Sequence, residues 1–257
     1  MNIIYNFVLG LLLAPILNSI AMHWDSRFKP AIPLSYCTSS HGANRYLSFI
    51  PFISFFSKSK NCPTCGNATW WRYGAAEPIT ALLFAYSAYW IGTELELIAA
   101  LLLISVLAVI VQTDLTCQII PNKVVFPAIA CAMVVRLFIH PLPLWQYGAG
   151  ALAGSGALLL IGLLAGKLLK KEAMGGGDIK LYVFIGLILG AKLTLFSLFA
   201  ASVFGLLGGV ITIFAGKYSK GNTIPFGPYI AAGALASYWW GDLALEAYLS
   251  FAGLSGP

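Results

Sequence analysis

Two aspartates of this 257-residue chain, Asp114 and Asp178, each stand at the edge of a long apolar run. Asp114 lies in Gln112-Thr113-Asp114-Leu115-Thr116, and Asp178 in Gly175-Gly176-Gly177-Asp178-Ile179-Lys180. A pair of carboxylates can hydrolyse a peptide bond without a metal or a covalent nucleophile. Like charges held close together do not both ionise readily, so the pair divides one proton. The ionised member takes a proton from water while the protonated member polarises the scissile carbonyl. The glycines before Asp178 suit a close approach of backbone to backbone, for helix packing or for docking an extended substrate.

Plainer readings of the same residues stay open. Asp is a favoured N-cap, so Asp178 after three glycines could simply cap a helix. Asp114 could cap a turn or pair with Lys123. A transporter or channel would use both acids as ion ligands or proton carriers, and it would show coupled flux and no cut product. A scaffold subunit would tolerate Asp→Asn at both positions. Five cysteines add a second candidate chemistry: Cys37, Cys62 and Cys65 lie in a polar segment, whereas Cys117 and Cys131 read as ordinary buried thiols. His23 and His140 lie near membrane boundaries and are assigned no chemistry.

The elements that must position the aspartates are membrane helices. The composition is 59% hydrophobic and 9% charged, whereas a soluble domain carries roughly a quarter charged residues. Helices satisfy their own backbone groups in lipid, so long apolar runs in such a chain read as spans. The net charge of +6 does not mark a nucleic-acid surface. Six of the fifteen Lys/Arg residues fall between Arg27 and Arg72, and most others occupy short gaps between apolar runs. That is the pattern of cationic cytoplasmic loops and not of a continuous basic face.

The first apolar run covers 3–22 and has no basic residue before it, so it reads as an uncleaved anchor with its N-terminus outside. The segment 23–76 is the one long polar insert and reads as a small cytoplasmic lobe, in need of a metal or the membrane surface for support. Its placement in the cytoplasm favours thiolate or metal chemistry over disulfides. Further apolar runs cover 78–93, 97–113, 123–140, 148–169, 178–189, 193–216 and 226–241. Dividing the chain at Gly190-Ala191-Lys192 puts Lys217 and Lys220 on the cytoplasmic side with Lys123, Lys167, Lys170 and Lys171, leaving Lys192 outside with Glu94 and Glu96. The expectation is therefore an all-α polytopic membrane protein of about eight spans, with both termini outside and both aspartates at the cytoplasmic boundary. Its parts are a first helix (1–22), the lobe (23–76) and a membrane domain (77–257). Trp70, Trp71, Trp239 and Trp240 sit at expected helix ends and read as interfacial anchors.

Three segments carry a specific resemblance. Gly175, Gly177, Asp178 and Lys180 match the GxGD motif of the prepilin peptidases, a family of membrane aspartyl proteases. Asp114-Leu115 followed by Ile120-Pro121-Asn122 and Pro127 resembles the family's segment around its first catalytic Asp. Ile224-Pro225-Phe226-Gly227-Pro228-Tyr229 is similar to its PFGP segment, carrying Pro225 and Gly227. Within the lobe, Ile50-Pro51-Phe52-Ile53-Ser54, Cys62-Pro63-Thr64-Cys65, Tyr73 and Glu77 keep the family's spacing, and Asn18 matches a family Asn in the first helix.

The resemblance implies that Asp114 and Asp178 are catalytic. It also implies that the substrates are prepilins of type IV pili or the pseudopilins of type II secretion. Such precursors carry a short basic leader, a glycine at the cut and an apolar helix. It places the chain in the bacterial inner membrane with its active site facing the cytoplasm. It further implies methylation of the new N-terminus by S-adenosylmethionine, with Glu77 as the associated residue. The family's lobe has two C-x-x-C pairs, a natural zinc set. Here Ser40 replaces one cysteine, so Cys37, Cys62, Cys65 and His41 form a Cys3His candidate. The alternative is a lobe that folds without metal.

Overall fold

A computed structural model describes residues 2–23, 70–92, 94–169, 175–214 and 225–252. Among them are seven helices and no strand: α1 Asn2–His23, α2 Trp70–Ile91, α3 Glu96–Cys117, α4 Asn122–Phe138, α5 Leu144–Leu169, α6 Gly176–Phe214 and α7 Gly227–Phe251. The helices are apolar on nearly all sides, and residues such as Leu168, Phe138 and Phe214 are fully presented to the outside. A soluble helix keeps a polar face; one without it belongs in a core or in lipid. By length and apolarity, Asn2–Ala21, Glu96–Cys117, Leu144–Leu168 and Gly176–Phe214 can each cross a membrane. The chain is a polytopic, all-α membrane protein.

The 39 residues of α6 do not form one rod. Gly190 has φ 76° and ψ 173°, a conformation that side chains with a Cβ disfavour. The chain folds back there. A Cβ on Gly154 of α5 would meet both Tyr182 and Thr194, which places the arms before and after Gly190 side by side. The break falls where the loop charges divide this run.

Packing at the hairpin depends on small residues. Any Cβ on Gly186 would collide with the backbone of Gly150 and Ala151. Gly233 of α7 lies equally close to Ser197 and Ala201 on the returning arm. Such contacts let helices approach where lipid offers no hydrophobic drive for association.

The main core joins α3, α4, α6 and α7 through Leu103, Ile110, Val125, Leu181, Ile185 and Ile230, all buried. A second cluster joins α2, α3 and α7 through Phe84, Ile104 and Trp239. Trp239 therefore departs from its expected place at the interface. It is buried, and its Nε1 donates to Ser87 Oγ at 3.1 Å. Trp240 remains half-exposed, and the side chains of Trp70 and Trp71 lie outside the described residues.

Two boundaries also move. α2 begins at Trp70, inside the segment assigned to the lobe, because Pro78 lies within the helix and does not start it. α7 continues to Phe251, past the expected apolar run. Cys131 is exposed on α4 and Cys117 is half-buried, so neither is the buried thiol expected.

Candidate active site

Asp114 and Asp178 come together at one end of the bundle. Asp114 lies in the last turn of α3 and is 6% exposed. Asp178 lies in the first turn of α6 and is half-buried, within Coulombic range of Asp114. Neither makes an ion pair with Lys or Arg among the described residues.

The local structure shows why each motif residue stands where it does. The first N–H groups of a helix have no intrahelical acceptor. At the start of α7 one of them, Gly227 N–H, donates to Asp114 Oδ2 at 2.7 Å. Pro228 follows within the first turn, where its missing N–H costs nothing. The approach is so close that a Cβ on Gly227 would sit 2.8 Å from Asp114 Oδ2 and 2.9 Å from its Cβ. Phe226, just before the helix, packs over Gly205 on the returning arm of α6, and Tyr229 packs over Gly208. Pro225 immediately precedes this turn and is half-buried.

The turn after α3 brings the second aspartate in. Gln118 closes the helix in a left-handed conformation, φ 53°, and its N–H donates to the Asp114 carbonyl at 2.9 Å. The chain then carries Ile120 onto Gly177, where a Cβ would lie 2.8 Å from that of Ile120. Pro121 starts α4, accepting from the N–H groups of Val124 and Val125. Asn122 Oδ1 accepts from Lys180 Nζ at 2.9 Å, and the Lys180 ammonium lies 5.6 Å from the centre of the Phe126 ring. The motif around Asp114 and the motif around Asp178 thus meet residue by residue. Gly177 is required by Ile120. Gly175 and Gly176 have room for a Cβ among the described residues.

Asp178 is not an N-cap. It is the third residue of α6; its backbone N–H donates to the Gly175 carbonyl at 3.2 Å, and its carboxylate takes no hydrogen bond from the described residues. Among the described residues, the hydrogen bond to these two carboxyl groups is the one from Gly227 N–H to Asp114 Oδ2.

A second buried polar group lies on the other side of α3, because residues two apart on a helix point in nearly opposite directions. Gln112 Nε2 donates to Asn18 Oδ1 of α1 at 2.6 Å. Gln112 was passed over in the sequence as a neighbour of Asp114; a glutamine inside an apolar run was the signal available. Gln112 also lines an apolar cavity of about 340 Å³ between α2, α3 and α7, with Thr80, Leu83, Leu107, Val111 and Leu235. Glu77 is buried in α2, next to Pro78. Among the described residues, the polar side chains on the cavity wall are Thr80, Gln112 and Thr116. Cys37, His41, Cys62 and Cys65 lie outside the described residues, and among the described residues no group of His, Cys, Asp and Glu could hold a metal ion.

Residues 101–210, which include both aspartates, match the model of the type IV leader peptidase family, and residues 8–91 match that of the bacterial peptidase A24 N-terminal domain. A prepilin leader peptidase/N-methyltransferase of Bacillus subtilis is 31% identical over 246 residues, covering 96% of this chain and 97% of the relative. Proteins of the same name from Aeromonas salmonicida and Pseudomonas aeruginosa are each 30% identical, covering 88% and 89% of this chain and 78% and 79% of their own lengths. No solved structure matches the chain significantly. With the two motifs joined across one helix-bundle end and a relative matched almost from end to end, this chain belongs to the type IV leader peptidase family.

Proposed function

We propose that this protein cleaves the short basic leader from type IV prepilins or type II secretion pseudopilins, with Asp114 and Asp178 as the catalytic pair. The observation that carries this reading is the approach of two acids from different helices, with no cation between them among the described residues and one of them bonded to the N-terminus of α7. The Gly227 N–H requires Asp114 Oδ2 to be an acceptor, so the proton that the pair shares sits on the other Asp114 oxygen or on Asp178. The ionised group takes a proton from a water molecule that attacks the scissile carbonyl. The protonated group hydrogen-bonds the carbonyl oxygen as it becomes an oxyanion. Collapse of the tetrahedral intermediate breaks the C–N bond, and the departing amine takes a proton from the pair. Lys180, Ile120 and Gly177 hold the two helix ends in register, and Gly175 leaves space beside Asp178.

The active site faces the cytoplasm of a bacterial inner membrane in this reading, supported by the cationic loops on the side of the aspartates. The substrate's leader stays in the cytoplasm and its apolar helix lies among the spans. The names of the relatives support methylation of the new N-terminus by S-adenosylmethionine, with Glu77 the first residue to test. Zinc bound by Cys37, His41, Cys62 and Cys65 is proposed from the lobe's sequence alone.

The test is cleavage of a purified prepilin in detergent by the wild type, Asp114→Asn and Asp178→Asn. Each substitution is expected to abolish cleavage while the folded protein stays in the membrane. Cleavage near the wild-type rate in either variant removes that residue from the mechanism. Mass measurement of the product N-terminus after adding S-adenosylmethionine reads methylation in the same assay, and Glu77→Gln is expected to lose it.

A further inference from the structure

The two helices that carry the aspartates, α3 and α6, make little direct contact; α4 and α7 bridge them. At the end of the bundle away from the aspartates, one guanidinium joins them. Arg136 lies in the last turn of α4 and is 4% exposed. Its Nη1 donates to Glu96 Oε2 at 2.6 Å and to the Ile139 carbonyl at 3.2 Å. Its Nη2 donates to Glu96 Oε1 at 2.8 Å and to the carbonyl of Ile188. Tyr238 of α7 donates its hydroxyl to Glu96 Oε1 at 2.8 Å, and the Tyr147 ring of α5 lies 4.6 Å from the guanidinium carbon.

The Ile188 carbonyl needs this donor because of Gly190. The break there leaves the last carbonyls of the first α6 arm without their usual helical partners, and in an apolar bundle an unpaired carbonyl is costly. A cation also suits a helix C-terminus. Only the planar fork of Arg reaches a carboxylate bidentately and two carbonyls at once; a lysine ammonium does not. Glu96 is the first residue of α3, whose last turn carries Asp114, and Ile188 ends the arm that Asp178 begins.

We propose that Arg136, gripped by Glu96 and Tyr238, is a positioning residue that sets the spacing of the aspartate pair from the far end of the bundle. The inference rests on the reading of Asp114 and Asp178 as the catalytic pair. Each helix is a rigid lever, α3 spanning ~27 Å from Glu96 to Asp114 and the arm ~15 Å from Asp178 to Ile188. A rotation at the pinned end therefore becomes a displacement of the carboxyl groups at the other.

Geometry and chemistry are tested separately. In a chain whose natural cysteines are replaced by alanine, Asp114→Cys/Asp178→Cys is treated with a short bismaleimide, with Arg136 intact and with Arg136→Met/Glu96→Leu. The cross-linking rate is expected to fall by ~10-fold without Arg136. An unchanged rate overturns the proposal whether or not the aspartates are catalytic. In parallel, Arg136→Met/Glu96→Leu and the milder Tyr238→Phe, with native aspartates, are assayed on a prepilin. The expected kcat per folded enzyme falls by ~10–100-fold in the first and by ~3-fold in the second, with KM unchanged, and Arg136→Lys recovers part of the loss. If both variants keep the wild-type kcat and lose only yield of folded protein, the residue is merely structural and the proposal fails. Failure of the catalytic reading shows independently, as cleavage that survives Asp114→Asn.

Discussion

The two ends of the bundle treat their acids in opposite ways. At one end Glu96 is saturated: Arg136 grips both oxygens and Tyr238 adds a third bond. At the other, Asp114 receives one backbone N–H and Asp178 no hydrogen bond from the described residues. A buried carboxylate with a bidentate cation holds a structure together and has little freedom to exchange protons. A pair left without a cation keeps that freedom, and the bundle must supply the energy to hold it. The acids at the two ends thus differ in the partners that the fold delivers to them.

The largest expected effect is that of removing either aspartate. Asp114→Asn or Asp178→Asn is expected to lower kcat by at least ~10³-fold in a prepilin cleavage assay, with the helical circular dichroism unchanged. A loss below ~10-fold would mean that this end of the bundle is structural as well.

Gly227→Ala sharpens the comparison. The new methyl group would stand 2.8 Å from Asp114 Oδ2, and kcat is expected to drop ~100-fold. Alanine is the better helix former by ~1 kcal/mol, so the loss cannot be a helix effect. Gly176→Ala, where the added carbon meets nothing among the described residues, is expected to cleave normally.

At the paired end, stability should move first. Arg136→Met leaves the partly buried Glu96 uncompensated and is expected to cost ~2–3 kcal/mol, read by thermal unfolding in detergent. Arg136→Met/Glu96→Leu removes both charges and should recover most of that loss. Equal destabilisation in the single and double variants would show that the ion pair itself is not what holds the far end.

The smallest effect belongs to Lys192 and Asp242, which pair at 2.8 Å with side chains 57% and 65% exposed. Lys192→Ala is expected to change stability by less than ~1 kcal/mol, because an exposed pair is screened and must order two mobile side chains. A larger shift would place this pair with Arg136 in the architecture of the far end.

Much of the fold was legible in the residues because lipid leaves the chain few choices. Long apolar runs must be helices, since each backbone group has to find its partner locally. Loop lysines then orient them, and the balance of Lys192 against Lys217 and Lys220 located the hairpin at Gly190. The aspartates were legible as acids at the ends of apolar runs, and the motifs around them as a family pattern. Their meeting was not. Ile120 on Gly177, Asn122 with Lys180 and Gly227 with Asp114 are contacts between segments far apart in the chain, and no spacing rule gives them. The paired end was missed altogether. Glu96 read as a loop charge outside the membrane, and nothing local linked it to Arg136, forty positions away. Trp239 misled for the same reason: its place near a helix end suggested an anchor, whereas Ser87 on another helix buries its indole N–H.

From the residue order alone came the membrane as this protein's solvent, its helical character, the division of one long run at Gly190, and two acids at the ends of apolar runs. Those follow from one-dimensional quantities: apolarity, length and the side on which positive charge collects. Only the tertiary structure decided which acid would meet a guanidinium and which a helix N-terminus. That outcome depends on where a guanidinium and a helix N-terminus come to rest in three dimensions, and a Coulomb interaction depends on distance through space, not along the chain.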